Sequence, residues 1–103
     1  MTDPDTGEKM IVTDEQAIPT AAVYDGEIAV HTPTSIIAAT GMNAIDHTVE
    51  MLYSRHHTPF TDATALHGLR MLSEHLPKTI EDPDDVEARG DALVASALSG
   101  FGM

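Results

Sequence analysis

One segment, residues 34–55, constrains the fold more than any other part of the chain. Apolar side chains recur in it at i, i+3, i+7 and i+10, which places them on one side of an α-helix of about six turns. These residues are Met42, Ile45, Val49 and Leu52. We predict that this side of the helix is buried and that the helix forms the centre of the fold.

The ends of this helix are predicted from two prolines. Thr32 is expected to be the N-cap and Pro33 the first helical residue. Because the residue before a proline is pushed out of the α region, the helix should end at or before His57, which precedes Thr58 and Pro59 in the sequence. Inside the segment, Gly41 costs about 1 kcal/mol relative to alanine. It predicts either a close approach by a backbone or ligand, or a kink or break.

The remaining sequence predicts two strands and two further helices. Residues 9–13 and 20–25 are short β-type runs and are interpreted as antiparallel strands. A second helix is predicted to open at residues 61–62 and to close at Pro77, and a third to open within residues 82–85. The predicted fold class is therefore mainly α, with three helices preceded by a short two-stranded β segment.

The charge balance excludes several kinds of partner. The chain of 103 residues has 17 acidic and 5 basic residues, a net charge of −12, beyond the magnitude of roughly 2–8 usual for a small domain. Phosphate groups would be repelled, so neither nucleic acid nor a membrane surface is an expected partner. The acidity favours a halophilic source. There is no cysteine, the N-terminus is acidic and no apolar run approaches ~18–20 residues, so we expect a cytoplasmic protein.

A row of polar side chains lies beside the apolar stripe. Asn43, His47 and Glu50 fall at i, i+4 and i+7, which puts an amide, an imidazole and a carboxylate on one adjoining helix face. Such a row offers two groups to a metal or to a substrate oxygen. In the alternative interpretation, His47 is a half-buried helix histidine and Glu50 a solvated neighbour. The spacing leaves both open.

The sequence around this row resembles a known family. Residues 38–50 read Ala-Ala-Thr-Gly-Met-Asn-Ala-Ile-Asp-His-Thr-Val-Glu, which is similar to the block that opens the helical domain of iron-containing (group III) alcohol dehydrogenases. There the block usually reads Gly-Met-Asp-Ala-x-x-His-x-x-Glu, and its Asp and His are two of four ligands to a catalytic Fe²⁺ or Zn²⁺. The resemblance places Asn43 at the Asp position and His47 at the His position. It therefore implies a metal role for both residues and a catalytic role for His47.

Asn43 is a departure from the usual block. An amide supplies an oxygen dipole without the charge of a carboxylate, so it is the poorer ligand for a divalent cation. The maleylacetate reductases resemble this chain more closely, because they too read Gly-Met-Asn-Ala there and work without tightly held metal. Asp46 is an extra carboxylate next to His47, but one residue along a helix is a turn of about 100°, so it points elsewhere.

The resemblance extends from about Glu8 onward and implies a fold. It includes residues 20–25, residues 62–65 and the sequence around Ala88 and Arg89. The chain is thus expected to be a slice of the helical domain of a dehydroquinate synthase-like fold. Its two parts would be residues 1–31, a linker with a short β-hairpin, and residues 32–103, a helical segment of the metal and substrate domain.

The resemblance also implies an activity, and what the chain lacks limits it. Family members are NAD(P)-dependent oxidoreductases that transfer hydride between nicotinamide and an alcohol or carbonyl. Their Gly-Gly-Gly-Ser turn, their Thr-Gly-Thr-Gly-Ser-Glu segment and their other two metal-binding histidines have no counterpart here, and we assign no cofactor-binding residue. We expect a fragment that is inactive alone and joins a missing enzyme portion or a homo-oligomer. The alternative is a small acidic helical interaction module or split-enzyme subunit without catalysis.

Overall fold

The computed structural model describes residues 2–11 and 14–101. Within these ranges the chain is mainly helical, as predicted. A short 3-10 helix at Glu15–Ala17 is followed by helices α1 (Gly26–Ala29), α2 (Thr34–Tyr53), α3 (Pro59–Glu81) and α4 (Val86–Ser99). Helix α3 packs against both α2 and α4, α2 also contacts α4, and α1 packs on α4. No helix in the described ranges is both long and apolar enough to cross a membrane.

The predicted two-stranded β segment is wrong. In the described part of the chain, β pairing is limited to one isolated antiparallel bridge between Thr2 and Lys9. Residues 20–25 form no strand, and residues 12–13 of the other predicted strand lie outside the described ranges. A two-stranded ribbon needs a sheet or a helix face to lie on. No such face covers the described residues of these runs, since Ile11 is 94% exposed and Val23 is 88% exposed.

The stretch after the predicted strands, which the sequence left unassigned, forms the one-turn helix α1. Asp25 is its N-cap, and its carboxylate accepts hydrogen bonds from the backbone N–H groups of Glu27 and Ile28 at 2.8 and 3.4 Å. Ala29 is buried. The capping carboxylate therefore starts a helical turn that docks on α4.

Helix α2 begins one residue later than predicted and runs without a break. Pro33 is its N-cap and keeps an extended backbone, with φ −56° and ψ 141°, while its carbonyl accepts the first helical N–H groups. Gly41 does not interrupt the helix, and its lack of a side chain allows α3 to approach closely. A Cβ placed on Gly41 would lie 2.5 Å from Cδ1 of Leu76. The helix has no break at Gly41, and the group that approaches it is the side chain of Leu76 rather than the predicted backbone or ligand.

The predicted buried face of α2 is wrong for Met42 and Val49, whereas Ile45 packs against the core. The residues of α2 that are buried are Ala44, Thr48 and Met51, whereas Met42 is 58% exposed and Val49 is 43% exposed. Since α2 and α3 meet closely at Gly41, the centre of the buried face lies about 100° around the helix from the centre of the predicted stripe. An apolar strip of α2 is consequently left open.

Helix α3 is longer at both ends than predicted. Thr58 is its N-cap, in a capping box with Thr61, and Pro59 is the first helical residue. Pro77 does not close the helix, which continues to Glu81. A proline inside a helix removes one backbone hydrogen bond, but its buried neighbour Leu76 anchors the helix against α2.

Helix α4 starts after the predicted stretch 82–85 rather than at its proline. Asp85 is the N-cap, and its carboxylate accepts a hydrogen bond from the Ala88 N–H at 2.9 Å. The core where α2, α3 and α4 meet contains Ala44, Leu72 and Ala95. Two of these three residues are alanines, so the helices lie close together and the core is small.

Candidate functional site

The polar row predicted on α2 is present in the structure. Nδ2 of Asn43 lies 3.0 Å from Nε2 of His47, and Nδ1 of His47 lies 3.4 Å from a carboxylate oxygen of Glu50. The side chain of His47 is 32% exposed and that of Glu50 is 48% exposed. Helical spacing alone brings these groups together, because residues three and four apart share a face. The imidazole thus lies between an amide and a carboxylate on an open surface.

The two contacts fix the roles of the ring nitrogens when the imidazole is neutral. A carboxylate only accepts hydrogen bonds, so Nδ1 of His47 must carry the proton and donate it to Glu50. Nε2 then has a lone pair, which accepts an N–H of the Asn43 amide. With the amide turned over, its oxygen would face a nitrogen that has no hydrogen. One tautomer satisfies both contacts.

The described residues do not make a metal site by themselves. Among them, no group of three or more histidine, cysteine, aspartate or glutamate side chains is placed to hold a metal ion. Protein sites for Zn²⁺ and Fe²⁺ use at least three such ligands. Asn43 also turns an N–H, which cannot bind a cation, toward His47. A metal role for His47 and Asn43 therefore remains a prediction that needs ligands from elsewhere.

Two other histidines pair with aspartates rather than with residues of the polar row. Nδ1 of His57 lies 3.1 Å from Asp62 at the start of α3, and Nδ1 of His75 lies 3.4 Å from Asp91, which links α3 to α4. Asp46 is exposed and lies about 100° around α2 from His47, although its spacing places it near Asn43 and Glu50. These histidines therefore do not join His47 in one cluster.

Sequence reasoning missed the structural importance of Arg89. It is 1% exposed, its Nε donates to the Pro83 carbonyl at 3.2 Å, and its Nη1 donates to the Thr32 carbonyl at 3.2 Å. It thereby ties together the segments that precede α4 and α2. No local sequence pattern indicates that an arginine is buried, because arginine is ordinarily exposed.

An apolar groove runs between α2 and α3. It has a volume of about 300 Å³ and its lining includes Met42, Ile45, Leu76 and Ile80. Two residues of the predicted apolar stripe, Met42 and Ile45, line the groove. It is open to solvent, and the polar row lies outside it.

Comparison with known proteins gives the chain a family. Residues 37–103 match the model of the Fe-containing alcohol dehydrogenase family, C-terminal. The chain belongs to the Fe-containing alcohol dehydrogenase family. Among its relatives is the NAD-dependent methanol dehydrogenase of Bacillus methanolicus, which is 37% identical over 100 residues, 97% of this chain and 26% of that protein.

Two solved structures of family members have the same fold. The sulfoacetaldehyde reductase of Bifidobacterium kashiwanohense, in complex with NAD⁺, matches with a TM-score of 0.88 and 28% identity over 100% of this chain and 27% of that one. The maleylacetate reductase of Rhizobium sp. matches with a TM-score of 0.83 and 34% identity over 92% of this chain and 27% of that one. The chain thus spans about a quarter of the length of these Fe-containing alcohol dehydrogenase relatives.

Proposed function

We propose that this chain forms part of an NAD(P)-dependent oxidoreductase that moves hydride between nicotinamide and an alcohol or carbonyl carbon. Family membership supports the proposal, as do relatives named as a methanol dehydrogenase and a maleylacetate reductase. The observation that carries it is the row of Asn43, His47 and Glu50, with its imidazole held between two partners. A positioned imidazole of this kind is the usual acid or base in such chemistry.

In this proposal His47 exchanges a proton with the substrate oxygen through Nε2. Glu50 stabilises the imidazolium that forms when Nε2 takes a proton, because its carboxylate faces the Nδ1–H. Nicotinamide supplies or takes the hydride when it is bound. The sequence has no glycine-rich loop opening a helix to cradle its phosphates, so the residues that bind NAD(P) are assigned to the remainder of the enzyme.

The matching region of a relative offers a direct test. The purified 103-residue chain is expected to show no NAD(P)H-dependent reduction of maleylacetate or of an aldehyde, because it lacks cofactor-binding residues. A chimera of the Rhizobium maleylacetate reductase, with its matching quarter replaced by this chain, should oxidise NAD(P)H in the presence of maleylacetate. Turnover by the isolated chain, or a folded chimera without turnover, would contradict the proposal.

The alternative to proton exchange by His47 is a metal role for His47 and Asn43 in the complete enzyme, in which Fe²⁺ or Zn²⁺ would find further ligands outside the described residues. In that enzyme, a carboxylate at position 43 should hold a divalent cation better than the amide does. Asn43→Asp in the chimera is therefore expected to raise Zn²⁺ affinity, measured by calorimetric titration of the metal-free protein. Equal affinity of the two forms would contradict a metal role for position 43.

A second candidate function is an acidic helical interaction module, or a split-enzyme subunit, without catalysis. The exposed groove beside Met42 favours it, since apolar surface of this kind marks contacts between chains. This candidate predicts that the purified chain forms dimers or binds the rest of the enzyme through the groove. Met42→Lys should then abolish the association seen by sedimentation, while Glu74→Lys on an exposed part of α3 should leave it intact.

A further inference from the structure

We infer that Asn43 and Glu50 are positioning residues that hold the neutral His47 ring in one tautomer, with its proton on Nδ1 and its lone pair on Nε2. The inference rests on the proposed function only in taking His47 as the group that meets the substrate oxygen. It explains how the row is satisfied without a cation, which the family resemblance alone does not.

The geometry makes each neighbour specific for one nitrogen. Asn43 lies one turn before the ring and reaches Nε2 at 3.0 Å, while Glu50 lies one turn after it and reaches Nδ1 at 3.4 Å. The carboxylate can only accept and the amide N–H can only donate. The pair therefore favours the Nδ1–H form from both sides.

An aspartate in place of Asn43 would remove this preference for the Nδ1–H form. Both ring nitrogens would then face carboxylate oxygens, and a neutral imidazole has one N–H to offer. The second contact would need an additional proton or a cation at Nε2. The amide of Asn43 removes that need, so this chain can keep its histidine ordered with no metal bound.

The tautomer has a consequence for the proposed chemistry. With the lone pair on Nε2, the resting ring accepts a proton from an alcohol and must first take up a proton before it can give one to a carbonyl oxygen. The Asn43 N–H releases Nε2 when the substrate oxygen binds. Because the Asn43 contact is shorter than the Glu50 contact, substitution of Asn43 should have the larger effect on the tautomer.

Nitrogen-15 NMR of the ring tests the inference in the 103-residue chain. With ¹⁵N-histidine, a chelator and an alkaline pH at which the ring is neutral, long-range ¹H–¹⁵N spectra distinguish a protonated from an unprotonated ring nitrogen. The His47 signals, identified by their loss in His47→Gln, should show Nδ1 protonated. Asn43→Asp and Glu50→Ala should each reduce the Nδ1–H population, because the first adds a carboxylate that competes for the ring N–H and the second removes the acceptor at Nδ1.

Two further variants make the test specific. Glu50→Gln retains an oxygen that accepts the Nδ1–H, so it should restore the population lost in Glu50→Ala. Glu87→Gln removes a carboxylate from the first turn of α4, a different helix from the row, and should leave the tautomer unchanged. A predominantly Nε2–H ring in the unmodified chain would overturn the inference, as would an unchanged tautomer population in Asn43→Asp.

Failure of this inference and failure of the proposed function are separable. The tautomer is measured without substrate or cofactor, whereas the proposed function is tested by turnover of the chimera. An active chimera whose isolated chain has an Nε2–H ring overturns the roles of Asn43 and Glu50 alone. An inactive folded chimera with an Nδ1–H ring overturns the proposed function alone.

Discussion

The backbone of Gly26 in α1 lies against the backbone of Gly90 in α4, and a Cβ added to Gly90 would be 3.9 Å from the Cα of Gly26. A Cβ added to Gly26 would instead overlap the carbonyl oxygen of Val86, a backbone atom that cannot turn away. The contact thus requires glycine on the α1 side and tolerates a methyl group on the α4 side.

The first prediction follows from this asymmetry. Gly26→Ala should lower the free energy of unfolding by roughly 1–3 kcal/mol, because the added methyl group overpacks the contact between α1 and α4. Gly90→Ala should raise it by up to about 1 kcal/mol, because alanine is the better residue inside a helix. Urea unfolding followed by circular dichroism measures both. Equal effects of the two substitutions would mean that α1 does not dock as described.

The second prediction compares two methionines of α2. Met51 is 4% exposed and Met42 is 58% exposed. Met51→Ala should cost about 2–5 kcal/mol because it leaves a cavity, whereas Met42→Ala should change the free energy of unfolding by less than about 0.5 kcal/mol. If Met42→Ala proved as costly as Met51→Ala, the apolar stripe predicted from sequence would be the buried face after all.

The third prediction concerns the buried arginine. Arg89→Ala removes a side chain that is 1% exposed and its hydrogen bonds to the carbonyls of Thr32 and Pro83, which should cost at least about 2 kcal/mol of unfolding free energy. Arg70→Ala is the matched control, since Arg70 is 61% exposed and pairs with Glu74 on the surface; it should cost less than about 1 kcal/mol. Thermal unfolding measures the stability of both variants. Equal stabilities would contradict the role of Arg89.

The fourth prediction is a pH dependence. The Lys78 ammonium, 3.4 Å from Glu74, donates a hydrogen bond to that carboxylate and holds its pKa below the usual value. Because the folded-state pKa is depressed, the stabilisation from Glu74 is complete above the unfolded-state pKa and is lost as the pH falls through the folded-state pKa. Lys78→Met should raise the Glu74 pKa measured by carboxyl ¹³C NMR, and Lys9→Met should not. Molar KCl should weaken the shift.

The sequence predicted the features that depend only on residues close together in the chain. The row of Asn43, His47 and Glu50 follows from helical spacing alone, and the structure has these contacts. The buried face of α2 depends on where α3 crosses, and nothing near Met42 in the sequence reports that Leu76 packs on Gly41. At the same crossing Leu76 packs against α2, and α3 continues past Pro77, although a proline in a helical pattern usually predicts a helix end. The N-terminal runs have strand propensity, but no sheet or helix face packs against their described residues.

The most direct test of the central claim, that His47 performs proton transfer in an oxidoreductase, is the rate of NAD(P)H oxidation by the maleylacetate reductase chimera. His47→Ala should lower that rate by about 100-fold or more, in line with the loss of a general acid or base. His67→Ala, an exposed histidine on α3, should leave it within about twofold. Equal rates for His47→Ala and His67→Ala would contradict the assignment of His47.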